Sequence, residues 1–302
     1  MKQFIFSPKY WGLWLVYLFL RLLTLLPYSF LMRLGACLGK IGYYFIGERR
    51  KIIEINISLC FPELNKKDQK ALVKANIIST VKSGFETMLA YWAPDKRLNQ
   101  WIEIEGIKYL EEALSQKHGV ILLGAHFTTF DLAIRLLNIK LKTPASMLYR
   151  AHNNPLIETL IAKGRHRHCR TTIGKKDLSK LMKCLAENHA VLYAPDQNFS
   201  YHNEFVPFFG VKASTVTGTS RIARESQAKI VPFFYYRKPK NQGYHLQHYP
   251  ALENFPSGNT YEDTARIIKL IEEAIRKHPE QYLLSHRRFK TRPPGEPLIY
   301  PK

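Results

Sequence analysis

Residues 118–131 read HGVILLGAHFTTFD, and this stretch indicates the fold more directly than any other. Its apolar run, from Val120 to Leu123, carries no charge and begins with two β-branched residues. Such a run is typical of a strand that is covered on both faces, as in a parallel α/β sheet. Because ligands bind beyond the carboxyl ends of the strands in such sheets, His126 is a candidate active-site residue.

Asp131 follows His126 by five positions and is a candidate partner for it. Five positions on one helix separate two side chains by about 140°. The two residues can therefore meet only if His126 lies in the strand-to-helix turn and Asp131 lies in the first turn of the helix. The same spacing has a simpler interpretation, since Thr128 followed by Asp131 resembles a capping box. The two interpretations are compatible, because a capping carboxylate can also orient an imidazole.

Strand-like apolar runs alternate with helical patterns along the rest of the chain. We predict strands at 120–124, 145–149, 190–194 and 230–236. We predict helices at 66–93, 129–139, 155–166, 176–188 and 215–227, and a last helix from Thr260. This alternation predicts an α/β fold with a mostly parallel sheet and helices on both faces.

The composition predicts an anionic partner. The chain has 302 residues with 45 Lys and Arg against 24 Asp and Glu, which gives a formal net charge of +21. An excess of this size favours nucleic acid, an acidic membrane surface or a phosphorylated substrate. Since the basic residues are scattered and no nucleic-acid-binding motif is present, we expect a membrane and a phosphorylated substrate, and no nucleic acid.

An apolar segment at residues 11–32 predicts membrane attachment. It contains a single charge, Arg21, and its length suits a transmembrane helix, although Arg21 and Pro27 also suit an amphipathic anchor in the interface. More basic residues follow the segment than precede it, which predicts a cytoplasmic location for the rest of the chain. We therefore expect a single N-terminal membrane anchor at 1–35 and a catalytic domain at 36–302.

Polar residues follow two further predicted elements. Asp196 comes after the strand at 190–194, and Arg165 belongs to a basic cluster at the end of the helix at 155–166. Each has a purely structural alternative, because Asp favours turns and cations stabilise helix C-termini. Arg165 and its neighbours would also repel a metal ion from His166, His168 and Cys169. We expect no metal and no cofactor, and four free thiols.

The chain carries an ordered set of motifs at 124–131, 149–150, 154–156, 164–165, 193–196, 205–209, 217–219 and 286–293. Taken in order, these motifs resemble the late acyltransferases of lipid A biosynthesis, inner-membrane enzymes that add secondary lauroyl or myristoyl chains. The HXXXXD motif, formed here by His126 and Asp131, is by itself shared with many glycerolipid acyltransferases, whereas the ordered set is highly specific.

The resemblance implies a glycerolipid-acyltransferase-like fold at the bacterial inner membrane. It also implies acyl transfer from acyl-carrier protein to a hydroxyl of a Kdo-bearing lipid A precursor. The catalytic dyad would then be His126 and Asp131, and the family's functional Arg and Asp fall on Arg165 and Asp196 as substrate-binding residues. In chemical terms His126 would act as a general base and Asp131 would orient it, while the guanidinium of Arg165 would suit an oxyanion.

Two alternatives remain at this stage. One is a glycerophospholipid acyltransferase that uses the same His-x4-Asp dyad on a lysophosphatidate-like acceptor. The other is a basic, membrane-associated binding protein without catalytic activity. Acceptor profiling separates the first from a lipid A enzyme, and thioester turnover separates the second.

Overall fold

The computed structural model describes residues 7–301, and a seven-stranded sheet positions its main functional groups. The strands are β1 (Ile102–Glu105), β2 (Val120–Leu123), β3 (Ser146–Tyr149), β4 (Thr172–Gly174), β5 (Ala190–Tyr193), β6 (Asn203–Phe208), β7 (Val211–Val216), β8 (Lys229–Arg237) and β9 (Tyr244–His248). The helices are α1 (Trp11–Leu23), α2 (Tyr28–Phe45), α3 (Gly47–Cys60), α4 (Lys66–Trp92), α5 (Asp95–Leu98), α6 (Ile107–Ser115), α7 (Phe130–Lys140), α8 (Pro155–Arg165), α9 (Leu178–Ala186), α10 (Gly218–Ser226) and α11 (Thr260–Lys277).

The main sheet is mostly parallel, as the alternating pattern predicted. Its strand order is β1-β9-β8-β2-β5-β3-β4, and only the β8–β9 pair is antiparallel. Strand β2 lies inside the sheet between β8 and β5, and its four residues are fully buried. The carboxyl end of β2 therefore delivers His126 to the edge where β5 and β3 also end.

The four predicted strands are confirmed as β2, β3, β5 and β8. The helix predicted at 215–227 begins too early, because β7 extends to Val216 and α10 starts only at Gly218. Strands β6 and β7 form a separate antiparallel hairpin. Phe209 and Gly210 connect them with positive φ angles of 51° and 77°, which suit a two-residue hairpin turn.

Of the two alternatives for residues 11–32, the single transmembrane helix does not form. The segment divides into α1 and the start of α2, because Pro27 cannot continue a hydrogen-bonded helix and begins the next one. Arg97 stabilises the break by donating hydrogen bonds to the carbonyls of Thr24 and Leu26. Within residues 7–301, no helix combines the length and the apolar character that a bilayer crossing requires.

Helix α2 packs closely against α4. A Cβ atom on Gly39 would lie 2.7 Å from the Cα atom of Ile78, so this contact requires glycine. Leu31 and Met32 of the same helix are 1% and 0% exposed and belong to the hydrophobic core. The predicted boundary between a membrane anchor at 1–35 and a catalytic domain at 36–302 therefore falls inside α2, which packs into the hydrophobic core.

Candidate active site

His126 and Asp196 form the most direct contact of the candidate active site. The Nδ1 atom of His126 lies 2.7 Å from one carboxylate oxygen of Asp196, and the backbone N–H of His126 donates to the other at 2.9 Å. The side chain of Asp196 is fully buried, whereas that of His126 is 28% exposed. Asp196 thus fixes both the backbone and the ring of His126.

This contact determines which ring nitrogen is available. A carboxylate can only accept, so Nδ1 of His126 carries the proton and Nε2 of the neutral ring keeps a free lone pair. Burial disfavours the charged imidazolium, but Asp196 outweighs burial and raises the pKa of His126 above its usual value. Burial also opposes the charge of Asp196, while His126 favours it more strongly and lowers the pKa of that carboxyl. The contact with Asp196 therefore stabilises the imidazolium form of His126.

Asp131 contacts Arg165 instead of the imidazole. The Nε and Nη2 atoms of Arg165 donate to the two carboxylate oxygens of Asp131 at 2.7 and 3.1 Å. Each of these side chains is only 14% exposed. Burial opposes the charge of Arg165, but the bonds to Asp131 outweigh it and raise the pKa of the guanidinium. The sequence analysis predicted that Asp131 is the carboxylate partner of His126. In the structure that partner is Asp196.

The capping box predicted for α7 does not form. Thr129, not Thr128, is the N-cap residue, and its side chain makes no capping hydrogen bond. The hydroxyl of Thr128 instead lies 3.0 Å from the hydroxyl of Ser79. Asp131 does occupy the first turn of α7, where a negative charge is favourable.

Gly164 explains how Arg165 reaches Asp131. A Cβ atom at Gly164 would lie 2.4 Å from the ring of Tyr91, so only glycine allows α8 to pack so closely on α4. The next residue, Arg165, lies with its guanidinium 5.8 Å from the ring centre of Tyr149. Arg167 donates to the carbonyl of Tyr91 at 3.2 Å. Two guanidiniums of the predicted anion-binding cluster therefore already have hydrogen-bond partners within the protein.

A cavity of about 290 Å³ brings the candidate residues together. His126, Asp131 and Arg165 all line it, and Asp196 lies behind His126. The cavity is mixed in character, because polar and aromatic side chains alternate around it. The other lining residues are Thr80, Ser83, Phe127, Thr128, Phe130, Met147, Leu148, Tyr149, Arg150 and Leu283.

The C-terminal segment at 281–291 connects the His126 loop to the Asp196 loop. The backbone N–H of Leu283 donates to the carbonyl of His126 at 2.9 Å. On the other side, His286 accepts a hydrogen bond at 3.1 Å from the backbone N–H of Asn198. Burial lowers the pKa of His286 to about 4, which keeps the ring neutral and able to accept. Residues 286–293 were singled out only by resemblance, and this contact gives them a physical role.

The sequence analysis did not identify a buried ion pair that joins α4 to β8. Arg237, at the end of β8, donates to both oxygens of Glu86 in α4 at 2.5 and 2.8 Å. Tyr244 donates to the same carboxylate at 2.7 Å. Gln281 exchanges two hydrogen bonds with the backbone of Arg237. This network joins α4, the sheet and the C-terminal segment, and no local sequence pattern predicts pairs so far apart.

The cluster at 166–169 does not resemble a metal site. His168 and Cys169 are buried, and burial lowers the pKa of His168 to about 4. Among residues 7–301, no group of three or more metal-ligating side chains converges. The ring of His168 stacks on that of Tyr91 in α4, with the ring centres 6.5 Å apart.

Comparison with known proteins gives a consistent set of relatives. The family described as bacterial lipid A biosynthesis acyltransferase matches residues 2–291. The lipid A biosynthesis lauroyltransferase of Escherichia coli (strain K12) is 38% identical over 97% of this chain and 96% of that protein. The palmitoleoyltransferase of the same organism is 35% identical over 97% and 95%. Its myristoyltransferase is 27% identical over 96% and 90%. The similarity spans nearly the whole chain, whereas the acyl chains in these names differ.

Proposed function

The chain belongs to the bacterial lipid A biosynthesis acyltransferase family, and on that basis we propose that it transfers a fatty acyl chain from acyl-carrier protein to a hydroxyl of a Kdo-bearing lipid A precursor. Membership of the family makes the protein an acyltransferase. The identities of its acyl donor and its acceptor are what we propose. The observation that supports this chemistry best is the 2.7 Å contact between His126 and Asp196 at the edge of the cavity.

The proposed reaction is a direct transfer with His126 as the general base. The acceptor hydroxyl attacks the thioester carbonyl while Nε2 of His126 takes its proton, and Asp196 stabilises the imidazolium through Nδ1. Collapse of the tetrahedral intermediate forms the ester and breaks the carbon–sulfur bond. The imidazolium then returns its proton to the departing thiolate, so the enzyme ends as it began.

The backbone amides of residues 126–128 do not serve as oxyanion donors in this proposal. Those of His126, Phe127 and Thr128 donate to Asp196, to the carbonyl of Ala125 and to the carbonyl of Gln281. The N-terminus of α7 remains, and Phe130 and Asp131 of its first turn line the same cavity. Its positive end favours the charge that develops on the carbonyl oxygen.

We assign Asp131 and Arg165 a joint positioning role at the cavity wall. Their two hydrogen bonds tie the first turn of α7 to the end of α8. The Nε and Nη2 atoms of Arg165 already donate to Asp131. We therefore propose that Arg165 binds substrate through Nη1.

A double-mutant cycle tests the unit formed by Asp131 and Arg165. Arg165→Ala and Asp131→Ala should each lower kcat/KM, because either change leaves a partly buried charge without its partner. The double variant should lose less than the sum of the two, with a coupling of about 1–3 kcal/mol in both transfer and unfolding. Arg165→Lys should rescue only in part, because an ammonium lacks the bidentate fork. Additive losses would contradict the joint role.

We further propose that α1 and α2 attach the protein to the cytoplasmic face of the bacterial inner membrane. Large apolar side chains on these helices face outward, including Leu15 and Phe19, which are 69% and 60% exposed. Leu25 and Phe45 are exposed at 76% and 81%. An amphipathic pair of helices with such a face binds in the interfacial plane of a bilayer.

Substitution is a better test of this attachment than truncation. Deletion of residues 1–32 would remove Leu31 and Met32 from the core. Leu15→Gln combined with Phe19→Gln should instead reduce co-sedimentation with anionic vesicles and leave the melting temperature unchanged. The matched control is Tyr261→Gln with Leu298→Gln, which alters exposed apolar residues elsewhere. Equal sedimentation of both double variants would remove α1 from the membrane interface.

Acceptor specificity tests the proposed function itself. The purified protein receives acyl-carrier protein charged with a radiolabelled fatty acid and either the Kdo-lipid A precursor or lysophosphatidate. We expect label in the first acceptor and little in the second. Preferential labelling of lysophosphatidate would favour a glycerophospholipid acyltransferase, and no thioester turnover would favour a binding protein.

A further inference from the structure

A second cavity opens beside the one that contains His126. It has a volume of about 540 Å³ and lies at the carboxyl ends of β3 and β4. Residues 149–151 and 174–177 line it, and Tyr149 and Arg150 line both cavities. The backbone N–H of Lys175 donates to the carbonyl of Tyr149 at 2.9 Å, which joins the two loops. A group bound in the second cavity would therefore lie directly beside the reacting groups.

The charge of the second cavity is strongly positive. Arg150, Lys175 and Lys176 line it and are exposed. Across residues 7–301, none of these three cations lies within ion-pair distance of a carboxylate. The cavity also contains Asp177, whose carboxylate caps α9 by accepting from the backbone N–H of Lys180 at 3.0 Å. Three cations thus line the cavity against one carboxylate, which leaves an excess of positive charge.

The contrast with the basic cluster at 165–170 points to a ligand. Arg165 is bound to Asp131, and Arg167 is bound to the carbonyl of Tyr91. Arg150, Lys175 and Lys176 of the neighbouring cavity form no such side-chain contact among the described residues, and they remain available to an anion. A guanidinium fork and two ammonium groups around one space suit a compact, multiply charged oxyanion, because the fork binds two oxygens and the ammoniums act as point charges.

We propose that Arg150, Lys175 and Lys176 form a phosphate-binding subsite that anchors a substrate while its reacting bond lies at His126. This inference rests on the proposed function, which supplies two sources of phosphate. One is the sugar phosphate of the lipid A precursor, and the other is the phosphodiester of the prosthetic arm of acyl-carrier protein. Both present phosphate oxygens to the cations, although the sugar phosphate carries up to two negative charges and the phosphodiester carries one.

A charge-matched pair of variants tests the subsite. Lys175→Gln with Lys176→Gln removes two cations from the cavity, while Lys142→Gln with Lys183→Gln removes two exposed cations outside it. The first variant should raise KM for one substrate by roughly tenfold or more at a nearly unchanged kcat, because bonds to a charged group are lost. The control should stay within about twofold of the wild type, since exposed charges contribute little.

The substrate whose KM rises identifies the source of the phosphate. A higher KM for the Kdo-lipid A precursor alone assigns the subsite to the sugar phosphate, and an acceptor without phosphate should then no longer distinguish variant from wild type. A higher KM for the acyl-carrier protein alone assigns it to the prosthetic arm. If both KM values equal those of the control variant, the proposal is overturned.

A binding measurement separates this proposal from the proposed function. Inorganic pyrophosphate is titrated into the wild type and into both double variants, with no acyl donor present. Binding should weaken on the order of tenfold in Lys175→Gln with Lys176→Gln and persist in the control. Equal binding in all three proteins would refute the subsite even if acyl transfer is observed. Selective loss of binding would support the subsite even if lipid A proves to be the wrong acceptor.

Discussion

Replacement of His126 by alanine is expected to lower acyl transfer by on the order of 10²–10⁴-fold while the protein stays folded. The imidazole is the proposed base, because the buried carboxylate of Asp196 holds its Nδ1 atom and leaves Nε2 to take a proton. The measurement is kcat/KM for transfer from acyl-carrier protein to the Kdo-lipid A precursor. Transfer within about tenfold of the wild type would contradict the role of His126 as general base.

His118→Ala is the matched control for this variant. His118 is exposed and lies just before the amino end of β2, whereas His126 lies beyond its carboxyl end. We expect the control to transfer acyl chains like the wild type. Melting temperatures of both variants, measured in the same detergent, separate lost chemistry from lost folding.

Asp196→Asn is expected to produce a loss of similar size, on the order of 10²–10⁴-fold, because Asp196 acts through His126. The amide keeps the size of the side chain but removes the charge that stabilises the imidazolium of His126. It also alters the pH dependence. His126 works as a base only when unprotonated, so kcat/KM rises with pH through the pKa of that ring. Asp196 raises this pKa, and its replacement should move the acidic limb of the profile to lower pH.

The matched control is Asp131→Asn, which makes the same chemical change at the other carboxylate of the site. Asp131 contacts Arg165 and has no hydrogen bond to His126 among the described residues. We expect Asp131→Asn to lower activity and leave the acidic limb where it is. A limb that moves in Asp131→Asn and stays in Asp196→Asn would return the orienting role to Asp131, as the spacing of the HXXXXD motif suggested.

The sequence predicted the positions of the candidate residues in the fold better than it predicted which of them are hydrogen-bonded to each other. The run from Val120 to Leu123 is an unbroken apolar strand, so its burial and the position of His126 after it were predictable. The partner of His126 was not, because Asp196 lies 70 residues away and reaches it only through the pairing of β2 with β5. The spacing along the chain favours the acidic residue nearest in sequence. The pairing of the strands determines which acidic residue lies next to His126 in space.

The N-terminal segment illustrates the same limit. The apolar composition of residues 11–32 predicted membrane attachment. A single membrane-spanning helix would also require an uninterrupted segment, whereas this one breaks between α1 and α2. Arg97 donates hydrogen bonds to the carbonyls of Thr24 and Leu26, which lie 73 and 71 residues away in sequence. A hydropathy pattern cannot predict a contact between residues so far apart. The close approach at Gly39 likewise depends on Ile78 in another helix. Short strands such as β4, with three residues, leave too little pattern to be recognised.

The central claim is that His126 catalyses acylation of a lipid A precursor. The most direct test is the mass spectrum of lipid A from cells in which the chromosomal copy encodes either the wild type or His126→Ala. The proposed function predicts that lipid A from the variant cells lacks one ester-linked acyl chain and is otherwise unchanged, and that a plasmid copy of the wild type restores the mass. Identical lipid A masses in the two strains, with the variant protein present at normal levels, would contradict it.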